Sequence, residues 1–202
     1  DLASKYFNLR EDEAIVYIND GRSFFSTPDA KQYDIILADA YQDITVPFHM
    51  STVEFFKIVK DHLKPGGVLI VNVNMKSGSF TGVPEYLANT VKSLFNKVYR
   101  ADLSVVTNSL LFASDDNDMI ENYKNNTANQ IPLDHDLYNI SRYISSHLVE
   151  ITDTKLVLTD DLAPVEILGQ KALSEIVQSE VERVSGMLNG KSLQEIFEYL
   201  AN

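Results

Sequence analysis

Residues 33–73 read YDIILADAYQD-ITVPFHM-STVEFFKIVKDHLKPGG-VLIVNV, and this stretch decides the fold. Tyr33–Ala38 is a short apolar run of the kind expected for a strand buried on both faces. It ends in an acid, Asp39. After a loop, Ser51 with Glu54 three residues on has the form of a capping box. Val53, Phe56, Val59, Lys60 and Leu63 then fall at helical spacing. Pro65-Gly66-Gly67 stops that helix, because proline lacks the N–H and glycine accepts a positive φ. Val68–Val73 is a second buried strand. Strand, helix, strand with one stop predicts a βαβ crossover with parallel strands and a helix from about Thr52 to Leu63.

A crossover of this kind also locates chemistry, because ligands of open α/β sheets bind beyond the carboxyl ends of the strands. Asp39 lies at such an end. Asp20 follows the strand-like run Ala14–Asn19, and Asn72 and Asn74 close the run Val68–Val73. Each of these residues has a plain structural role open to it, since Asp and Asn favour turns. Three successive strand ends that each carry a polar or acidic group weaken that reading.

Outward from this core the chain alternates. Leu2–Phe7 has helical spacing as if a helix were entered midway, which reads as a fragment or a processed chain. Asp20-Gly21-Arg22 turns into a short helix over Arg22–Ser26. Met75–Thr81 is a loop, and Pro84–Phe95 is a helix with proline at its start. Val98–Val106 and Ser109–Ala113 form a hairpin around Asn108. Ser114–Gln130 is a polar excursion or a polar helix. Leu137–Ile151 is amphipathic, Lys155–Leu158 is a short strand, and Gly169–Leu188 is a long helix ended by Gly190. The stripe Leu173, Ile176, Val177, Val181, Val184 and Leu188 on that helix is either core or a subunit interface. Ser192 and Glu195 open a last helix.

The expected fold class is α/β, Rossmann-like, with a mostly parallel sheet and a terminal antiparallel hairpin. Residues 1–168 form that domain, incomplete at its amino end, and residues 169–202 a helical extension. At 202 residues and 45% hydrophobic, the chain is long enough to bury a core. Seventeen basic against 29 acidic residues give a net charge of −12, which argues against nucleic acid or an anionic membrane as partner. The chain has no cysteine, so disulfides and thiolate metal sites are excluded. His49, His62, His135 and His147 show no metal spacing, and no metal is expected. No signal peptide or transmembrane run is found, and a cytoplasmic location is expected, either free or as the cytoplasmic domain of a membrane-associated protein.

The segments LASKYFNLREDEAIVYINDGRSFF (2–25), YDIILADAYQ (33–42), LKPGGVLIVNV (63–73) and SLLFAS (109–114) together resemble spermidine synthase and its relatives. These are polyamine aminopropyltransferases with the class I methyltransferase-like fold. LTDDLAPVE (158–166) resembles the ending of a bacterial group within them, some of whose members are fused to membrane segments. The resemblance implies transfer from decarboxylated S-adenosylmethionine, or from S-adenosylmethionine, to a small-molecule amine. It implies that Asp20 and Gly21 hold the adenine of the donor. It implies that Asp39, with Ala40 beside it, lies against the donor and acts as general base. Tyr41, Gln42 and Asp43 then stand where the family binds its amine. The family's second acid is shifted to Asp43 or replaced by Gln42. The family's glycine-rich loop and ribose-binding acid have no counterpart in these residues. Methyl transfer, or a non-catalytic domain that keeps the fold for assembly or ligand sensing, are the alternatives. A homo-oligomer is expected.

Overall fold

The structure is a computed structural model. It describes residues 5–6, 8–10, 12, 14–27, 31–40, 46–73, 82–102 and 108–188. Within these, a five-stranded sheet has the order β1-β2-β4-β3-β5, with β1 Tyr33–Ala38, β2 Leu63–Val73, β3 Lys97–Asp102, β4 Ser109–Ser114 and β5 Leu148–Glu150. The helices are α1 Gly21–Phe25, α2 Val53–Asp61, α3 Val83–Lys92, α4 Met119–Gln130, α5 Asp136–Ser146 and α6 Val165–Leu188.

The crossover is as expected: β1 and β2 pair in parallel, with Ile35 opposite Val68 and Ala38 opposite Val71, and α2 lies between them in sequence. The hairpin is also as expected, β3 and β4 being antiparallel with Val98 opposite Ala113. The sheet is more mixed than the sequence suggested. Among the described residues one pairing is parallel, and β2–β4, β3–β4 and β3–β5 are antiparallel.

Several local expectations are corrected. Residues 14–19, expected as a strand, belong to no strand, and Ile15, Val16, Tyr17 and Ile18 are exposed. Their pattern suits a strand, but a strand also needs a neighbour for its backbone N–H and C=O groups, and β1 pairs on one side with β2 alone among the described residues. β1 is not buried on both faces: Ile36 is buried, while Ile35 and Leu37 are 61% and 62% exposed. The cap of α2 is Thr52, whose side chain accepts from the Phe55 backbone N–H, rather than Ser51, whose hydroxyl donates to the Phe48 carbonyl. The helix ends at Asp61, and Pro65-Gly66-Gly67 lies inside β2 as an irregularity in its register with β1. The amphipathic stretch after Leu137 is split into α5 and the short strand β5, with His147 between them. Residues 155–158 form no strand. The long helix starts at Val165, four residues earlier than expected, because Val165 is buried beside Val83 and Leu158.

Alternation along each strand gives the sheet two faces. On one, Ile36, Leu69, Val71, Val98, Leu111 and Ala113 are packed against Phe55, Phe56, Val59, Leu87 and Val91 of α2 and α3. On the other, Ile35, Val68, Ile70 and Phe112 line a cavity of about 400 Å³ closed by Met119, Tyr123 and Ile144 of α4 and α5. Buried apolar area is worth roughly 25 cal/mol per Å², so the α2–α3 face is the one that holds the domain together.

Candidate functional site

Two clusters of polar side chains sit at the places the sequence singled out. The first is at the carboxyl ends of β1 and β2. Asp39 directly follows β1 and is exposed. The parallel register pairs Ala38 with Val71, so the next step along both strands sets Asp39 beside Asn72. Asn72 Nδ2 donates to Asp39 Oδ1 at 2.9 Å. Asn72 pairs with Leu110 across the antiparallel ladder, and Asn108 is its diagonal neighbour, within reach on the same face. Asn108 Nδ2 donates to Asn72 Oδ1 at 3.1 Å. A carboxylate, an amide and a second amide therefore run in a line across the ends of three strands. Ala40 is half-buried next to Asp39. Tyr41, Gln42 and Asp43, together with Asn74, lie outside the described residues.

The second cluster surrounds Asp20. Its carboxylate caps α1, accepting from the Ser23 backbone N–H at 2.8 Å, and its other oxygen lies 2.9 Å from His49 Nε2. The Ser23 N–H, followed by His49, holds the Asp20 carboxyl below its ordinary value of 3.8. Gly21 opens α1 with the Met50 side chain close by; a Cβ there would come within 2.8 Å of Met50 Cε, the free end of a flexible chain. Beside it Arg22 makes a two-pronged bond to Asp160, at 2.7 and 2.6 Å, and donates to the His49 carbonyl. Thr52 Oγ1 donates to the same carboxylate at 2.7 Å, and the Asp160 backbone N–H donates to Glu54. The Arg22 guanidinium is the main cause that brings the Asp160 carboxyl down to about 2.

This ties the carboxyl-terminal segment to the crossover. Leu158 is buried, its carbonyl accepts from the Val53 N–H, and its own N–H donates to Thr90 Oγ1. The Val53 N–H is one of the orphan donors at the start of α2, and a segment more than a hundred residues away satisfies it. Asp160 lies in the LTDDLAPVE segment, and its partner is Arg22. No spacing rule could find a pair 138 residues apart. Asn72 and Asn108 were visible as strand-end and turn residues, but not as partners of Asp39.

Among the described residues no cluster of three or more His, Cys, Asp or Glu side chains is placed to hold a metal ion. No helix among them is long and apolar enough to cross a membrane.

No family model matches the chain. The chain is 37% identical over 195 residues to a protein of Bifidobacterium longum named "Probable polyamine aminopropyl transferase". That match takes in 89% of this chain and 43% of the relative, so the chain spans less than half of the relative's length. Among solved structures, it superposes on human methyltransferase-like protein 13, determined with SAH, with a TM-score of 0.51 at 19% identity, over 72% of this chain and 64% of the other. It also matches a probable spermidine synthase from Corynebacterium glutamicum, with a TM-score of 0.49 at 21% identity, over 57% of this chain and 43% of the other. The resemblance to polyamine aminopropyltransferases is borne out by the first comparison, and the α/β fold of class I methyltransferase type by the second.

Proposed function

We propose that this chain forms the amine-activating part of a transferase that moves an aminopropyl group from decarboxylated S-adenosylmethionine to a polyamine precursor. The observation that carries the reading is Asp39. It is an exposed carboxylate at the end of β1, with one oxygen held by Asn72, in a chain 37% identical to the Bifidobacterium protein.

The chemistry requires such a group. An aliphatic amine has a pKa near ~10, like lysine, so at neutral pH it is mostly protonated and has no lone pair to offer. It must lose a proton before or during attack. The nitrogen forms a bond to the carbon beside the sulfonium, that carbon's bond to sulfur breaks, and the electron pair stays on sulfur as a neutral thioether. The amine proton passes to the Asp39 carboxylate and from there to solvent. The same carboxylate favours the positive charge of both reactants. Asp20 fits the adenine amino group: both its oxygens already accept one hydrogen bond, and a carboxylate oxygen can accept two. Tyr41, Gln42 and Asp43 supply the amine-binding wall in this reading. A cationic donor and a cationic amine also suit a chain with a net charge of −12.

The test is a donor-consumption assay on the full-length protein with putrescine and a series of other amines, run beside calorimetric titration of the adenosyl donor. The expected result is amine-dependent release of the thioether product. Binding of an adenosyl donor with methyl transfer instead would replace the aminopropyl reading, and no binding at all would favour a domain kept for assembly.

A further inference from the structure

We infer that Asn72 and Asn108 are positioning residues, a two-amide relay that fixes which oxygen of Asp39 meets the proton. The inference rests on the transfer reading for its kinetic arm only.

The relay follows from hydrogen-bond inventory. An ionised carboxylate only accepts, whereas an amide has an accepting oxygen and a donating nitrogen. Asp39 Oδ1 therefore demands the nitrogen of Asn72, which donates to it. That choice turns the Asn72 oxygen the other way, where it needs a donor, and Asn108 Nδ2 supplies one. A reversed Asn72 amide would set oxygen against carboxylate on one side and nitrogen against nitrogen on the other. The polarity of the whole line is thus set from both ends.

The consequence for Asp39 is an asymmetric carboxylate. Oδ1 is engaged by Asn72, and among the described residues Oδ2 has no hydrogen-bond partner. Alternation places Leu37 and Ile70 on the same face, one step inward from Asp39 and Asn72. Asn108 is two residues from Leu110, so it shares that face as well. The line also joins three strands, β1, β2 and the entry to β4, so the orientation of the carboxylate is tied to the sheet rather than to its own loop.

Two substitutions remote from Asp39 separate orientation from mere packing. Asn108→Asp replaces the donor by an acceptor, and the Asn72 amide then gains by turning its nitrogen toward residue 108 and away from Asp39. Asn108→Leu removes the partner without forcing the turn. In the full-length protein, kcat for amine-dependent donor consumption is expected to fall in the order parent, Asn108→Leu, Asn108→Asp. The last loss is roughly 10- to 100-fold, the scale of a misplaced catalytic group, with KM for the donor within about twofold by the logic of an interaction used only in the transition state. An equal kcat in Asn108→Asp, or a loss carried by KM, overturns the inference.

A second readout does not depend on activity. The Asn72 side-chain amide proton, assigned by its disappearance in Asn72→Leu, should resonate downfield in the parent because it donates to a carboxylate. It should move upfield in Asp39→Leu, and in Asn108→Asp, where the amide turns to the new carboxylate, its through-space contacts should pass from residue 39 to residue 108. If Asn108→Asp leaves those contacts in place, the relay is wrong. If they pass over as expected and the parent still consumes no donor with any amine, the relay stands and the transfer reading fails.

Discussion

Asp39 and Asp20 carry the same side chain, one at the end of β1 and the other at the start of α1, and their surroundings differ. Asp20 is engaged on both oxygens, by the Ser23 N–H and by His49, so it is a helix cap before it is anything else. Asp39 has one oxygen bonded by Asn72, and in the transfer reading the other takes the proton. Replacing Asp39 by Asn preserves shape and removes the base. Turnover should fall by ~10²–10⁴-fold, the usual worth of general-base catalysis, while calorimetry finds donor affinity close to the parent's. Parental turnover in that variant would remove Asp39 from the mechanism. Asp160 gives a prediction of another kind. Arg22 depresses its carboxyl in the folded chain from an ordinary 3.8 to about 2. Stability from a depressed carboxylate is fully present above the unfolded value and disappears as pH falls through the folded one. The Arg22–Asp160 clasp should therefore hold above about pH 4 and be lost toward pH 2. Both side chains are partly exposed, so solvent screens part of the gain. Thermal denaturation of parent and Arg22→Met between pH 5 and 2 is the measurement. The two curves should converge as the pH drops, and a constant gap would show that Arg22 stabilises by packing rather than by charge.

Among the elements, β2 carries the least regular backbone and the clearest steric demand. Its register with β1 shifts between Tyr33 and Ile35, and Gly66 sits at φ +77° in that shift. A Cβ on Gly67 would meet the backbone oxygens of Lys64, Tyr33 and Asp34 at 2.9, 3.1 and 3.2 Å. Backbone cannot swing aside as a side-chain end can. Gly67→Ala is expected to cost about 1–3 kcal/mol, the range for overpacking, and to lower the urea midpoint with an unchanged slope. An unaffected midpoint would mean that the two strands can slide apart at that point. The same elements show what was legible from sequence. The crossover was legible because its parts carry their own signals, an apolar run and a periodic stripe, although Pro65-Gly66-Gly67, expected to stop the helix, lies inside β2. The cap was misplaced by one residue because Ser51 and Thr52 are both good caps, and only the chain's path into the helix separates them. Residues 14–19 were misread because strand propensity is local while strand formation needs a partner. The three-residue β5 was hidden inside a helical period, since Ile144, Leu148 and Ile151 continue the spacing of α5 across the break at His147. Asp39 was legible as a strand-end acid. Asn72, which bonds it, and Asn108, which bonds Asn72, were not, because their meetings depend on the β1–β2 and β2–β4 registers.

The whole molecule has one well-covered sheet face and one long helix with an exposed row of valines. α6, 24 residues long, is anchored at its start, where Val165 is buried with Val83 and Leu158. Val177, Val181 and Val184 follow one another at helical spacing and are 52%, 61% and 42% exposed. Three valines on one stripe of a helix are poor company for water, and a second copy of the same helix is the simplest cover. Two-fold packing lets each stripe bury the other, because such an interface uses the same patch twice. The charge balance of −12 opposes this, since two copies repel. Salt should therefore strengthen the association: screening shortens the repulsion to about 8 Å at physiological ionic strength and to about 3 Å at 1 M, while apolar burial is untouched. An interface built on ion pairs would weaken instead. Sedimentation at tens of micromolar, roughly a normal working range for a modest interface, should show a dimer whose fraction rises from low to high salt. Val181→Glu should return the chain to monomer without changing its melting in dilute solution, because residue 181 touches water in the single chain. A parent chain that stays monomeric across that salt range would show that the stripe serves no self-association.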